Sequence, residues 1–162
     1  MTAFQPFPAQ RGFTLIEILV VLAILGILLA LGLSGYTRWA RNAEVRAAAA
    51  QLSADLNRVR TTAQRSSASA SLRFDSAGAY TLVLPAASGG TLARTLPPGL
   101  QVKAYPDEAA LAGKTVTYQA PYAELSANSP TAFTLSRVQS GFQKVRVGLA
   151  GLTGTVVVSE VR

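Results

Sequence analysis

Three hydrophobic patterns follow one another along the chain. From Phe13 to Leu33 the apolar positions are almost unbroken: Glu17 is the only charge, and Ile18–Leu33 holds nothing but apolar residues and glycine. At about 1.5 Å per residue, a helix of this length spans roughly 30 Å, the hydrocarbon thickness of a bilayer. The segment is therefore expected to cross a membrane. From Val45 onward the apolar residues Val45, Ala49, Leu52, Leu56, Val59 and Ala63 recur every three or four positions, which makes one stripe on a helix. Arg46, Gln51, Asp55, Arg58, Arg60 and Gln64 flank or oppose that stripe, so this half is expected to lay one face on a folded domain. No proline interrupts residues 13–66, which permits a single helix through both patterns. Its weak points are Gly26, Gly32 and Gly35, and Ser66-Ser67-Ala68-Ser69 is expected to end it.

From Ser71 the period becomes two, with β-branched and aromatic residues between turn signals. Ser71–Asp75 and Ala79–Leu84, divided by Ser76-Ala77-Gly78, predict a hairpin. Leu100–Tyr105 after Pro97-Pro98-Gly99, and Thr115–Tyr118, predict further strands. Phe133–Val138, Lys144–Leu149 and Thr155–Val161, joined through Ser140-Gly141 and Gly151–Gly154, complete an antiparallel sheet. Gly89-Gly90 and Pro106–Gly113 are expected loops, the second with a helical turn at Glu108–Leu111. The fold class is thus α+β: a long N-terminal helix packed on a C-terminal antiparallel β-sheet domain.

Composition narrows the chemistry. The 162 residues contain no Cys and no His, which removes disulfides, thiolate nucleophiles, imidazole bases and the usual zinc ligands together. Among the acids only Asp107 and Glu108 are adjacent, and neighbouring carboxylates in a Pro-led loop are more often solvated than catalytic. Neither an enzyme nor a cofactor is expected. The net charge of +7 attracts acidic partners such as DNA or anionic lipid, although the basic residues are dispersed, with no run of them. Residues 1–12 carry two prolines and one charge without periodicity, and no Ala-x-Ala pattern follows Leu33 in a suitable place, so the apolar run is expected to be retained rather than removed as an ordinary secretory signal.

Gly12-Phe13-Thr14-Leu15-Ile16-Glu17, followed by the apolar run, resembles the class III signal of type IV pilins and type II secretion pseudopilins. Ile18 stands where that family usually has Leu. The resemblance implies a pilin fold divided into a leader at 1–12, a transmembrane and filament-core helix at 13–35, an amphipathic half of the same helix at 36–66 and a β-rich globular domain at 67–162. It implies cleavage by prepilin peptidase between Gly12 and Phe13, N-methylation of Phe13, and filament assembly through Glu17, whose partner would be the methylated amine of a neighbouring subunit. An intramembrane carboxylate is costly without such a partner, and no Lys, Arg or His within the segment supplies one. Other pilin or pseudopilin subunits and an inner-membrane assembly platform are the partners implied.

Topology presents a conflict at this point. Arg11 precedes the apolar run whereas Arg38, Arg41 and Arg46 follow it, so the positive-inside rule alone would keep the C-terminal domain in the cytoplasm. The resemblance implies the reverse: a single-pass inner-membrane protein with its N-terminus cytoplasmic and its C-terminal domain periplasmic, assembled in a pilus or pseudopilus. Leu96-Pro97-Pro98-Gly99 and the Val145–Val158 region resemble, diffusely, the GspH/FimT branch of minor pilins and pseudopilins. Some members of that branch bind DNA for natural transformation, using arginines beside the final glycine. Here Thr155, Val156 and Val157 fill that place, and Lys144, Arg146 and Arg162 are the nearest candidate contacts, so DNA uptake is the alternative expectation.

Overall fold

The computed structural model describes residues 13–139 and 141–161, the side chains of 31–34 excepted. Helix α1 runs Leu15–Ser66 without a break, so Gly26 and Gly35 do not interrupt it. It ends where expected, Ser67 turning into the left-handed region at φ 47°. The chain divides into two units between Arg38 and Trp39.

In the first unit the described apolar side chains of α1 are exposed throughout, from Leu15 at 84% to Leu29 at 60%. A continuous apolar surface of that size does not stand in water on a soluble monomer; it requires lipid or protein around it. The helix is long and apolar enough to cross a membrane.

In the second unit the remainder of α1 is half-embedded. Val45, Ala49, Leu52, Leu56, Val59 and Ala63 are all buried, as the three-four spacing predicts. They join one core with the inward residues of two antiparallel sheets. The first sheet contains β1 (Ala70–Ser76), β2 (Ala79–Val83), β3 (Thr91–Thr95), β5 (Thr115–Gln119) and β6 (Glu124–Leu125), in the order β3-β2-β1-β5-β6. The second contains β4 (Leu100–Ala104), β7 (Ala132–Arg137), β8 (Lys144–Ala150) and β9 (Thr155–Val161), in the order β4-β7-β8-β9. The alternation is visible in β8, where Val145, Val147 and Leu149 are buried between Lys144, Arg146 and Gly148. Phe74 of the first sheet and Phe133 of the second meet with ring centroids 5.1 Å apart, so aromatic packing joins the two sheets.

Four features differ from the sequence expectation. The strands form two sheets rather than one. Strand β3 was not expected, because Thr91-Leu92-Ala93-Arg94-Thr95 offers only Leu92 to the core; it is an edge strand held by pairing with β2, Leu82 opposite Leu92. Strand β6, two residues long, carries no periodicity to detect. The helical turn expected at Glu108–Leu111 does not form. The chain turns at Tyr105–Asp107, places Glu108 at φ 51°, bridges Ala110 to Lys103 and buries Leu111. Burial of Leu111 and the Ala104 N–H to Ala109 carbonyl bond of 3.0 Å hold this loop extended.

Candidate functional site

The start of α1 is built by Thr14. The backbone N–H of Glu17 donates to Thr14 Oγ1 at 3.3 Å and to the Thr14 carbonyl at 3.1 Å, and the Ile18 N–H donates to the same carbonyl at 3.3 Å. Thr14 is therefore the N-cap and Glu17 the third helical residue, the spacing of a capping box. This position holds the carboxylate in the first turn, where the helix dipole favours a negative charge. Among the described residues no Lys or Arg lies within ion-pair distance of Glu17. Phe13 is 79% exposed, immediately before the cap. The structure thus brings Phe13 and Glu17 within one turn of each other at the polar end of an apolar helix. Gly12 lies outside the described residues.

The basic residues of the second unit tell a different story. Lys144 and Arg146 project from the same outward row of β8, but each is engaged. Lys144 Nζ donates to Glu108 Oε1 at 2.5 Å, and Lys103 approaches the other carboxylate oxygen of Glu108 at 3.8 Å. The hydrogen bond from Lys144 holds the Glu108 carboxyl below its usual range. The Arg146 guanidinium stacks on the Tyr105 ring, 3.6 Å from its centroid. Arg162 lies outside the described residues. Two of the three candidate DNA contacts are thus occupied by neighbours from the β4–β5 loop, an arrangement that the spacing of residues in β8 cannot reveal.

Sequence reasoning also missed Asp55. Expected to flank or oppose the stripe, it is instead buried, accepting a 2.8 Å hydrogen bond from the Tyr80 hydroxyl with Arg94 Nε 3.4 Å away. A carboxylate can enter the core only with such partners. The signal available was its position between Leu52 and Leu56, inside the apolar arc. Its role is to lock the helix to β2 and β3.

Among the described residues no group of three or more acids is placed to hold a metal ion. Residues 8–33 match a family model described as the prokaryotic N-terminal methylation motif. A comparison with curated proteins and with solved structures finds no match to the chain. The motif, continuous with an exposed apolar helix, supports a type IV pilin-like or pseudopilin precursor that anchors in a membrane and is processed by prepilin peptidase.

Proposed function

We propose that the chain, with its methylation motif at residues 8–33, is a minor pilin-like structural subunit of a type IV pilus or a type II secretion pseudopilus. Prepilin peptidase cuts between Gly12 and Phe13 on the cytoplasmic side, and Phe13 becomes the methylated N-terminus. Residues 13–35 then serve as membrane anchor and filament core, 36–66 as the support of the globular domain, and 67–162 as that domain. The N-terminus is cytoplasmic and the domain extracytoplasmic, with an inner-membrane platform driving assembly. Glu17 pairs with the methylated amine of an adjacent subunit, which neutralises both charges as the helix leaves lipid.

The observation that supports this reading best is the motif itself set on a capped helix whose described apolar side chains are exposed. Its chemistry is mechanical: the same surface that rests in lipid is available to neighbouring helices, and Glu17 supplies the one charged registration point in an otherwise largely apolar contact. The DNA-uptake reading is weaker, because Lys144 and Arg146 are committed to Glu108 and Tyr105. Intact mass of the membrane-extracted protein tests the proposal. Loss of residues 1–12 with a gain of one methyl group is expected; an uncut mass in cells that possess the peptidase would overturn it.

A further inference from the structure

The edge strands of the two sheets are β3 and β6 in the first and β4 and β9 in the second, and the fold protects three of them. On β4 the Val102 N–H donates to the Ala77 carbonyl at 2.7 Å, the Ala104 N–H donates to the Ala109 carbonyl at 3.0 Å and Lys103 bridges Ala110, so that edge is covered. Strand β6 is two residues long, and its Leu125 N–H donates to the Leu152 carbonyl at 2.8 Å. Strand β3 is five residues long and carries Arg94, a charge of the kind that blunts an open edge. Strand β9 has none of these protections. Its residues pair with β8 from Thr155 to Val161 in unbroken register, without a bulge, a proline or a lysine. Among the described residues no backbone hydrogen bond reaches β9 from any element other than β8.

The side chains of β9 define what such an edge fits. Val156, Val158 and Glu160 stand opposite Leu149, Val147 and Val145 of β8, so they continue the row that faces the core. Val147 is fully buried whereas Val158 beside it is 49% exposed, so the apolar row runs past the end of the core with no strand to cover it. An edge strand presents N–H and C=O groups at every second residue, and only another extended backbone pairs with them as a ladder. Thr155, Val156, Val157, Val158 and Val161 are β-branched, the type that packs well against a cross-strand neighbour. Glu160 adds a carboxylate to the inner row, and among the described residues it has no ion-pair partner. A second copy of β9 does not supply one, because full antiparallel pairing about Val158 sets Glu160 opposite Val156.

We propose that β9 is a docking edge for an extended strand of another protein, added antiparallel, with β-branched apolar residues opposite Val156 and Val158 and a lysine or arginine opposite Glu160. Every strand pair in both sheets is antiparallel, and the antiparallel ladder is slightly the more stable per residue, which selects the direction. Main-chain hydrogen bonds supply the affinity of such an addition, and the inner row of side chains supplies its selectivity. The proposal rests on the second sheet alone and not on cleavage, methylation or the role of Glu17, so it stands or falls apart from the pilin-like reading.

The probe is the peptide Thr-Lys-Thr-Val-Thr-Val-Thr, whose antiparallel register places its lysine opposite Glu160 and its valines opposite Val158 and Val156. A second peptide carries glutamate in place of the lysine. Each is added in millimolar excess to the full chain in detergent, and amide hydrogen exchange is followed residue by residue. With the lysine peptide the outward amides of β9 are expected to exchange roughly tenfold more slowly, as amides that enter a ladder gain protection. That peptide is expected to bind roughly fivefold more tightly than the glutamate one, the scale of one cross-strand charge pair. Glu160→Gln is expected to abolish the preference while keeping the binding. Val158→Lys is expected to lose the binding and Val157→Lys, an equally exposed position on the opposite face, to keep it. Equal binding of both peptides by the wild-type chain would overturn the basic partner residue, and no protection of β9 by either would overturn the edge as a docking site. Protection of β9 in the chain alone that fades on dilution would assign the edge to a second copy and overturn an outside partner.

Discussion

The hydroxyl of Tyr80, on β2, donates a 2.8 Å hydrogen bond to the buried carboxylate of Asp55, on α1. It is a polar tie between helix and sheet inside an otherwise apolar contact, and it gives the helix a fixed register on the domain. Tyr80→Phe removes the donor while keeping the ring beside Phe74, so it isolates the hydrogen bond. A loss of about 1.5–3 kcal/mol in unfolding free energy is expected for a bond to a charged group. Asp55→Ala costs more, because it strands both Tyr80 and Arg94. Denaturant unfolding of the detergent-solubilised chain measures both; equal stabilities of wild type and Tyr80→Phe would show that the tie contributes nothing.

Alkaline pH should loosen the same domain. Burial raises the pKa of Tyr80, with the Asp55 contact adding to it, and burial pushes Tyr118 up to about 12. Both phenols are raised above their unfolded value, so their contribution to stability is whole below about pH 10 and is lost as pH climbs toward the folded values. Stability is expected to hold steady through neutral pH and to fall above about pH 10. The Tyr80→Phe, Tyr118→Phe double variant is expected to show a shallower fall when unfolding is followed between pH 9 and 12 by circular dichroism, a range set by the phenol values. An unchanged slope would argue that other groups carry it.

Gly154 and Gly151 occupy one turn and differ in what surrounds them. Both have positive φ, but a Cβ at Gly154 would stand 2.9 Å from Tyr118 Cε1, whereas one at Gly151 meets nothing within 4 Å. The Tyr118 hydroxyl also donates to the Gly154 carbonyl at 3.1 Å, so the ring cannot move away without losing that bond. Gly151→Ala carries only the backbone penalty, about 1 kcal/mol, and Gly154→Ala adds about 1–3 kcal/mol of overpacking. Thermal melts that rank the two variants in the opposite order would contradict the geometry.

Glu17→Ala should separate assembly from folding. Glu17 belongs to the first unit and contributes no side chain to the core of the second, so the variant is expected to accumulate in the membrane at wild-type level. Incorporation into filaments, read by shearing and immunoblotting, is expected to fall by tenfold or more, an order-of-magnitude expectation from stranding a charge in an apolar contact. Wild-type incorporation at wild-type abundance would remove the role given to this carboxylate. Thr14→Ala, which deletes the cap, costs about 1 kcal/mol of local helix stability and serves as the control for a merely structural effect.

Glu108 restrains the basic face of the second sheet. Its carboxyl is held below the usual range by Lys144, so this interaction is in place at neutral pH and disappears as pH falls through the depressed value. Glu108→Gln leaves Lys103 and Lys144 without their carboxylate partner. Duplex DNA binding by the full chain in detergent is expected to be weak for wild type and tighter for the variant, with the slope of log affinity against log salt steeper by roughly one to two, about 0.9 per phosphate neutralised. If wild type and variant bind alike, Lys144 makes no contact with DNA.

Most of the helix was legible in the sequence because its information is local. An apolar run long enough for a bilayer, with one carboxylate near its start, and a three-four stripe from Val45 to Ala63 each need only neighbours within a few turns to be read. The hairpins with strong alternation were legible for the same reason. What the pattern could not carry was whatever depended on distant partners. Strand β3 exists because β2 offers it a ladder of backbone bonds, not because its own residues are apolar. The division into two sheets is set by which strands meet across loops, and so is the joining of Phe74 to Phe133. Asp55 looked like a surface residue until Tyr80 and Arg94 arrived to satisfy it, and Lys144 and Arg146 looked like free cations until the loop after β4 supplied Glu108 and Tyr105. Periodicity along the chain thus determined the long helix, its apolar run and most of the strands. Only the tertiary structure decided which charges are spent, because a charge is neutralised by whatever lies beside it in space.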